Sequence, residues 1–326
     1  MTDKTDKTDN SSADAWGELG VPFTHLDQPL FDGSNATKRD LVEYLDAVRE
    51  RIIPALEGRP LSVIRARPGQ EPFMQKNVPK YAPPWVATVR FWAGSSHRDV
   101  SYALCNDRRT LLWFANQRAV EYHPALVRAD QPDRATHLVL DLDPPDADSF
   151  KMAVRVAHLV RQALADVGLE GAVKTSGAKG LHVFVPIGDS APGDAAAATR
   201  AIAARAQALG PEIATTAFVK DDRGGKVFVD STRVGGATVI SAYSPRVRPG
   251  VPVSFPVSWD DLEDVAPADF TVHSVVRQLG GADPWVRQMP NAQTLSADII
   301  TEGQAIPVAR VLAMHEGKRR ARARGD

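Results

Sequence analysis

The chain has 326 residues, 43% of them apolar, with a single cysteine and a formal net charge of −1 from 39 basic and 40 acidic residues. That is enough apolar chain for one large core or two small ones, and the lone Cys105 rules out an internal disulfide and a cysteine-cluster zinc site. No stretch reaches the roughly 18 uncharged apolar residues of a membrane span, and the start, MTDKTDKTDNSSADAW, lacks the apolar run of a secretion signal. A soluble, cytoplasmic protein with no membrane contact is therefore expected. The near-zero net charge counts mildly against a nucleic-acid enzyme unless the cations are clustered.

Residues 1–20 read as a disordered segment, a TDK repeat followed by Asn-Ser-Ser. Beyond Thr37, which is placed as an N-cap, Leu41, Tyr44, Leu45, Val48 and Ile52 recur at helical spacing as far as Leu56. Residues 85–92 and 100–104 read as two strands joined by a turn. A short helix is expected over 107–119, leaving His123 at a helix-to-loop exit. Residues 137–143 (HLVLDLD) form an apolar strand stopped by Pro144 and Pro145. Ser149 then caps an amphipathic helix through Val154, Ala157, Val160 and Leu164. Strands at 171–174 and 181–186 flank a glycine turn, an alanine-rich helix runs over 195–209, and a strand at 226–230 (KVFVD) follows. After Pro290 the pattern thins to one helix near 305–316 and a tail carrying Lys318, Arg319, Arg320, Arg322 and Arg324. That tail reads either as a solvated end or as a phosphate-facing patch. Strands and helices mix without a strict βαβ rhythm, so the expected fold class is α+β. The expected plan is one domain over 21–290 between a disordered 1–20 and a C-terminal helix and basic tail over 291–326.

Asp141 and Asp143 end the strand 137–143. Side chains alternate along a strand, so the two carboxylates share one face while Leu140 and Leu142 take the other. Adjacent carboxylates disfavour each other's ionisation unless a cation joins them, and a hard divalent ion, magnesium or manganese, suits oxygen ligands. Asp230 ends its own apolar strand in the same way. Three strand-end carboxylates fit a two-metal centre for phosphoryl or nucleotidyl transfer. The turn Thr175-Ser176-Gly177-Ala178-Lys179-Gly180 offers small residues and the donors of Ser176 and Lys179 to phosphate oxygens. It lacks the Walker A order. His182 follows on the next strand, and Arg223, Lys226, Arg246 and Arg248 supply cations around Asp230.

Together these residues resemble the polymerase domain of bacterial DNA ligase D, a member of the archaeo-eukaryotic primase superfamily. The motifs are HLVLDLDP at 137–144, KTSGAKGLHVFVP at 174–186 and GGKVFVD at 224–230, supported by APPW at 82–85, VEYHP at 120–124 and AYSPR at 242–246. The resemblance implies a mixed α/β primase core with an RRM-like sheet flanked by helices. It implies catalytic metal ligands at Asp141, Asp143 and Asp230, and nucleotide contacts at Ser176, Lys179, His182, His123, Arg223, Lys226 and Arg246. DNA contacts are implied at Lys38 (a 5′-phosphate), Phe73 (the template), Lys76, and Arg98 in the turn that begins at Gly94. Members of the family use manganese or magnesium with NTP or dNTP substrates, favour ribonucleotides, and fill gaps or extend broken DNA ends in non-homologous end joining, often with Ku. A nucleoid-associated location follows from that role. The chain departs from the family where a second phosphate-binding lysine is replaced around Pro29, Leu30 and Phe31, where Met74 stands for a phenylalanine, and over 231–238. No Lys-x-Asp-Gly ligase signature occurs, so a separate ligase is expected to seal the product. The same residues leave open a primase that starts chains de novo, a catalytically silent DNA-end binding module, and a metal-dependent phosphohydrolase.

Overall fold

The computed structural model describes residues 16–93, 97–234 and 238–308. The helix expected after Thr37 is two helices, α1 (Lys38–Ala47) and α2 (Arg49–Leu56). Thr37 does cap α1: its hydroxyl accepts from Asp40 N at 3.2 Å, and the Asp40 carboxylate accepts from Thr37 N at 2.6 Å. Such a reciprocal cap contributes about 1 kcal/mol. The break falls at Val48, where Val48 N and Arg49 Nη1 both take the Asp46 carbonyl that an uninterrupted helix would offer four residues on.

The first sheet holds β1 (Leu61–Arg67), β2 (Gln70–Gln75), β3 (Thr88–Ala93), β4 (Arg98–Ala103) and β5 (Ala119–Pro124). Its order is β2-β1-β4-β3, with β5 also on β1, and every pairing is antiparallel. The expected 85–92 strand thus starts at Thr88. Helix α3 (Arg108–Asn116) is shorter than anticipated because Arg118 takes a left-handed φ of 59° and breaks the helical path. His123 consequently lies on strand β5, not at a helix-to-loop exit. Val63 and Tyr122 pair on the face covered by α1–α3, where Phe114 meets the Tyr122 ring edge-on at 6.4 Å. Ser62, Ile64, Glu121 and His123 occupy the other face.

The second sheet holds β6 (Ala135–Asp143), β7 (Ala172–Thr175), β8 (Leu181–Ser190), β9 (Ala214–Thr215) and β10 (Val227–Asp230), in the order β7-β8-β6-β10-β9. Only β9 and β10 run parallel. Leu140, Leu142 and Val183 face α4 (Phe150–Ala165) and α5 (Pro192–Leu209). Helix α4 buries Val154, Val160 and Leu164, at about 1.5–3 kcal/mol for each side chain removed from water. Ser149 precedes α4, yet its hydroxyl donates to Asp146 instead of capping the helix. Two short helices, α6 (Val272–Gln278) and α7 (Pro284–Gln288), lead to α8 (Ala297–Ala305), which packs on α5. Of the helix expected near 305–316 only 305–308 are described, where the chain leaves α8; the rest lies outside the described residues. Residues 309–326, with the basic tail, and 1–15, with the TDK repeat, lie outside the described residues.

The fold is thus the mixed helix-and-sheet type anticipated, built on two antiparallel-type sheets with helices over one face of each. Among the described residues no helix is long and apolar enough to cross a membrane.

Candidate active site

The helix-free face of the second sheet carries one row of polar side chains. In strand register, Lys174 on β7 stands opposite His182 on β8, His182 opposite Asp141 on β6, and Asp141 opposite Asp230 on β10. Residues paired across neighbouring strands point to the same side, so all four converge. His182 Nε2 lies 3.2 Å from Asp141 Oδ1, and Lys174 Nζ lies 2.8 Å from His182 Nδ1. An ionised Asp141 requires the proton on Nε2. Nδ1 is then the acceptor, and Lys174 donates to it, fixing the tautomer. Burial pushes His182 down to about 4, with Lys174 adding to the shift against the pull of Asp141, so the ring is neutral at neutral pH. Burial also drives the Lys174 ammonium well below the usual lysine range.

Arg233 closes the other side of the row. Its Nη2 is 2.8 Å from Asp141 Oδ2 and 3.2 Å from Asp230 Oδ2. Burial alone would raise the Asp141 carboxyl, but His182 and Arg233 outweigh it and hold the group well below the usual carboxylate range. Asp230 is pinned through Oδ1 by the Thr232 backbone N at 2.8 Å and the Thr232 hydroxyl at 2.6 Å. Asp143, two residues beyond Asp141 on the same face, has its pKa raised to about 6 by burial and by the Asp141 charge, against the pull of Arg233, Lys179 and Arg223.

The glycine turn abuts this row. Ser176 Oγ accepts from Ala178 N at 3.2 Å and Gly180 N at 3.1 Å, which makes the turn self-supporting. Gly177 has φ +67°, and a Cβ there would sit 2.6 Å from Arg246 Cγ, so glycine is required twice over. Lys179 Nζ is held by the Pro144 and Pro145 carbonyls, at 2.5 and 3.1 Å, just past Asp143. Arg246 joins the two sheets, donating from Nη1 to Ser176 O at 3.0 Å and from Nε to Glu121 Oε1 at 3.2 Å. Glu121 also bonds His123 Nε2 at 2.9 Å. Glu121, Lys174 and Arg233 are charged neighbours that sequence reasoning passed over as site residues. The alternation of Glu121 with His123 was a usable signal only once 119–124 was known to be a strand.

Arg223 stacks over Phe228 at 3.9 Å, and Phe228 pairs with Asp143, so this guanidinium stands beside the carboxylates. Lys226 is not gathered in: its ammonium is bonded to the Pro211 carbonyl at 2.6 Å. Lys38 is buried, with Nζ 2.5 Å from the Thr24 carbonyl, and burial together with Arg118 lowers it to about 8. Phe73 and Met74 are both about half exposed on the edge strand β2. Met74 pairs with Ile64, which pairs with Glu121, so Met74 shares the helix-free face of the first sheet. Phe73 pairs with Arg65 on the other face, and that guanidinium also bonds the exposed Tyr81 hydroxyl at 2.8 Å. Lys76 follows β2, and Arg98 opens β4; both are exposed. The turn residues 94–96 lie outside the described residues.

Among the described residues, no group of three or more His, Cys, Asp or Glu is closed up as a metal-binding cluster. The reason is visible in the ion pairs: one guanidinium nitrogen of Arg233 occupies the point where Asp141 and Asp230 oxygens converge. The donor set still suits a hard divalent cation, because two carboxylates already share one positive atom and the third lies beside them.

A mixed two-sheet fold with three strand-end carboxylates beside a glycine turn defines a primase-polymerase-type domain. A family model described as the LigD primase-polymerase domain matches residues 37–285, and the chain belongs to that family. It is 33% identical over 265 residues to the bifunctional non-homologous end joining protein LigD of Bacillus subtilis, covering 79% of this chain and 42% of that protein. It is 34% identical over 277 residues to the multifunctional non-homologous end joining DNA repair protein LigD of Mycobacterium tuberculosis, covering 80% of this chain and 36% of that protein. The chain thus spans less than half the length of these relatives. The structure of the polymerase domain from Mycobacterium tuberculosis ligase D in complex with DNA superposes with a TM-score of 0.76 at 31% identity, over 84% of this chain and 99% of that one.

Proposed function

We propose that this domain is a metal-dependent nucleotidyltransferase that adds nucleotides to DNA 3′ ends under template direction, filling gaps and extending broken ends in non-homologous end joining. The observation that carries this reading is the convergence of Asp141, Asp143 and Asp230 on one sheet face beside the Ser176–Gly180 turn. A manganese or magnesium ion bound by the three aspartates supplies Lewis-acid stabilisation of charge on the attacking 3′-oxygen and the phosphates. The chain's own work is positioning. Backbone N–H groups of the turn, Lys179, Arg223 and Arg246 bind the triphosphate; His182, held by Lys174, orients Asp141. Met74, on the helix-free face of the first sheet, and the exposed Lys76 and Arg98 supply apolar and cationic groups of the kind that stack on and track a template strand, while Phe73 flanks the same edge strand from its other face. Broken DNA in the cytoplasm, with Ku and a DNA ligase activity at the same ends, is the setting that the kinship supports.

Primer extension on a gapped, 5′-phosphorylated duplex with Mn²⁺ tests this reading. Templated extension is expected, with ribonucleotides favoured over deoxyribonucleotides. DNA binding without extension would replace the reading with a silent end-binding module, and phosphate release without chain growth with a phosphohydrolase. Product formed without a primer would add de novo initiation.

Arg233 is expected to yield its place when the cation binds. In Arg233→Gln the metal-free aspartates lose a partially exposed counter-ion, worth about 1–2 kcal/mol. A melt without metal should fall by a few degrees, and Mn²⁺ should raise the variant's midpoint more than the parent's. Equal metal-induced shifts would show that guanidinium and ion do not compete.

A further inference from the structure

Glu121, on the helix-free face of β5, is 3% exposed and lies between Arg246 and His123. Its two oxygens divide the work. Oε1 accepts from Arg246 Nε at 3.2 Å and from Val247 N at 2.9 Å, and Oε2 accepts from His123 Nε2 at 2.9 Å. Burial alone would raise the carboxyl, but His123, Arg246 and the Val247 backbone outweigh it and hold the group below its ordinary value, so it is ionised at neutral pH. A negative charge this close should weaken the grip on a phosphate, unless what it does by geometry outweighs what it does by charge.

The geometry is specific. Arg246 is seated at three points: Nε on Glu121, Nη1 on the Ser176 carbonyl at 3.0 Å, and Cγ against Gly177, where a Cβ would come to 2.6 Å. Its backbone N bonds Pro252 O at 2.8 Å, and the bond from Val247 N to Glu121 fixes the next peptide. Among the described residues Nη2 makes no hydrogen bond, and it is not one of the atoms shut off from solvent. The guanidinium thus keeps one nitrogen open to a phosphate oxygen while the other two hold it still. An ionised Glu121 also requires the His123 proton on Nε2, which settles the tautomer of the neutral ring.

We infer that Glu121 is a positioning residue for triphosphate binding: by its reach, not its charge, it sets Arg246 and His123 in place beside the glycine turn. The role rests on triphosphate binding by Arg246, part of the function proposed above. Glu121 comes from the first sheet and the turn from the second, so the same carboxylate ties the placement of the cation to the packing of one sheet against the other.

Two variants close to the parent in shape separate reach from charge. Glu121→Asp keeps the charge and draws the carboxylate back by one carbon–carbon bond, about 1.5 Å. Glu121→Gln removes the charge and keeps an oxygen for Arg246 Nε and Val247 N. Calorimetric titration of the full chain with ATP and Mn²⁺ is expected to give an affinity about tenfold or more weaker in the Asp variant and about threefold weaker in the Gln variant. A role through charge alone predicts the reverse order, with the Gln variant binding ATP more tightly than the parent. In primer extension the Asp loss should fall on KM, with kcat changed less than about threefold. The Gln amide N–H turns toward His123, so nitrogen NMR of that ring should show its proton moved from Nε2 to Nδ1. Parent-like ATP affinity in Glu121→Asp, or a Gln variant as weak as the Asp one, would overturn the role. ATP binding without extension in the parent would instead remove the polymerase reading and leave the comparison of variants intact, whereas a parent that binds no ATP would overturn both.

Discussion

Asp141→Asn is expected to lower templated nucleotide addition by about 10³-fold while the protein stays folded. Asp141 takes part in three interactions at once, facing His182 at 3.2 Å, Arg233 at 2.8 Å and, across the strand pair, Asp230. A carboxylate that anchors a catalytic cation contributes several kcal/mol of transition-state stabilisation, and each 1.36 kcal/mol is about tenfold in rate. The amide keeps the shape, and its oxygen still accepts from His182 Nε2. Arg233 keeps Asp230 at 3.2 Å and is 36% exposed, so water replaces the lost partner. The stability cost should therefore be about 1–2 kcal/mol, well short of the 3–5 kcal/mol for an ion left fully buried and unpaired. Single-turnover extension and a thermal melt, run side by side, check both halves. A folded variant that extends primers at the parent rate would remove Asp141 from the reaction centre.

The residues that sequence reading placed well are those whose local pattern has one physical solution. Alternation in HLVLDLD puts Asp141 and Asp143 on one face whatever surrounds them, and β6 runs to Asp143 with Leu140 and Leu142 toward the helices. Thr37 followed by Asp40 is a cap wherever it precedes an amphipathic run, and it is one here. The first sheet was less legible. Strand β2 reads QEPFMQ and is exposed along most of its length, so no burial imposes a period on it; β1 carries Arg65 at a buried position, where a guanidinium satisfied by Gln75, Tyr81 and the Gln117 carbonyl stands in for an apolar residue. Missing β1 hid β5, and with it the meeting of Glu121, His123 and Arg246, residues separated by up to 125 positions. Arg233 was hidden for another reason: three residues past Asp230, it looks like one more loop cation until the backbone turn set by Thr232 aims it at two carboxylates. Lys226 shows the converse, a cation close in sequence whose ammonium the fold directs to a carbonyl elsewhere.

Gly180→Ala is expected to damage both stability and activity, because Gly180 is where the phosphate-type turn touches the aspartate strand. A methyl group on its Cα would overlap the Leu142 carbonyl oxygen and lie 3.2 Å from Pro144 Cδ. The obstacle is backbone of the central strand β6, held on one side by β8 and on the other by β10, so it cannot swing away as a flexible side chain would. Overpacking usually costs about 1–3 kcal/mol, and a backbone clash belongs at the upper end, about 3 kcal/mol. The strain has one outlet, which is for the turn to lift. Gly180 N bonds Ser176 Oγ, and Ser176 N bonds Gly180 O at 2.9 Å, so lifting Gly180 opens the turn and draws Lys179 off the Pro144 and Pro145 carbonyls beside Asp143. A melt should show a midpoint lowered by roughly 5–10 °C, and extension kinetics should show a weaker apparent nucleotide affinity together with a slower maximal rate, since positional errors near 1 Å cost about 10²-fold. Gly193→Ala is the control. It lies in the first turn of α5 with open space around it, so the same added methyl should change stability by no more than about 1 kcal/mol, in the favourable direction. If Gly180→Ala melts and extends like Gly193→Ala, the turn does not rest on Leu142, and the coupling drawn between phosphate turn and aspartate strand is wrong.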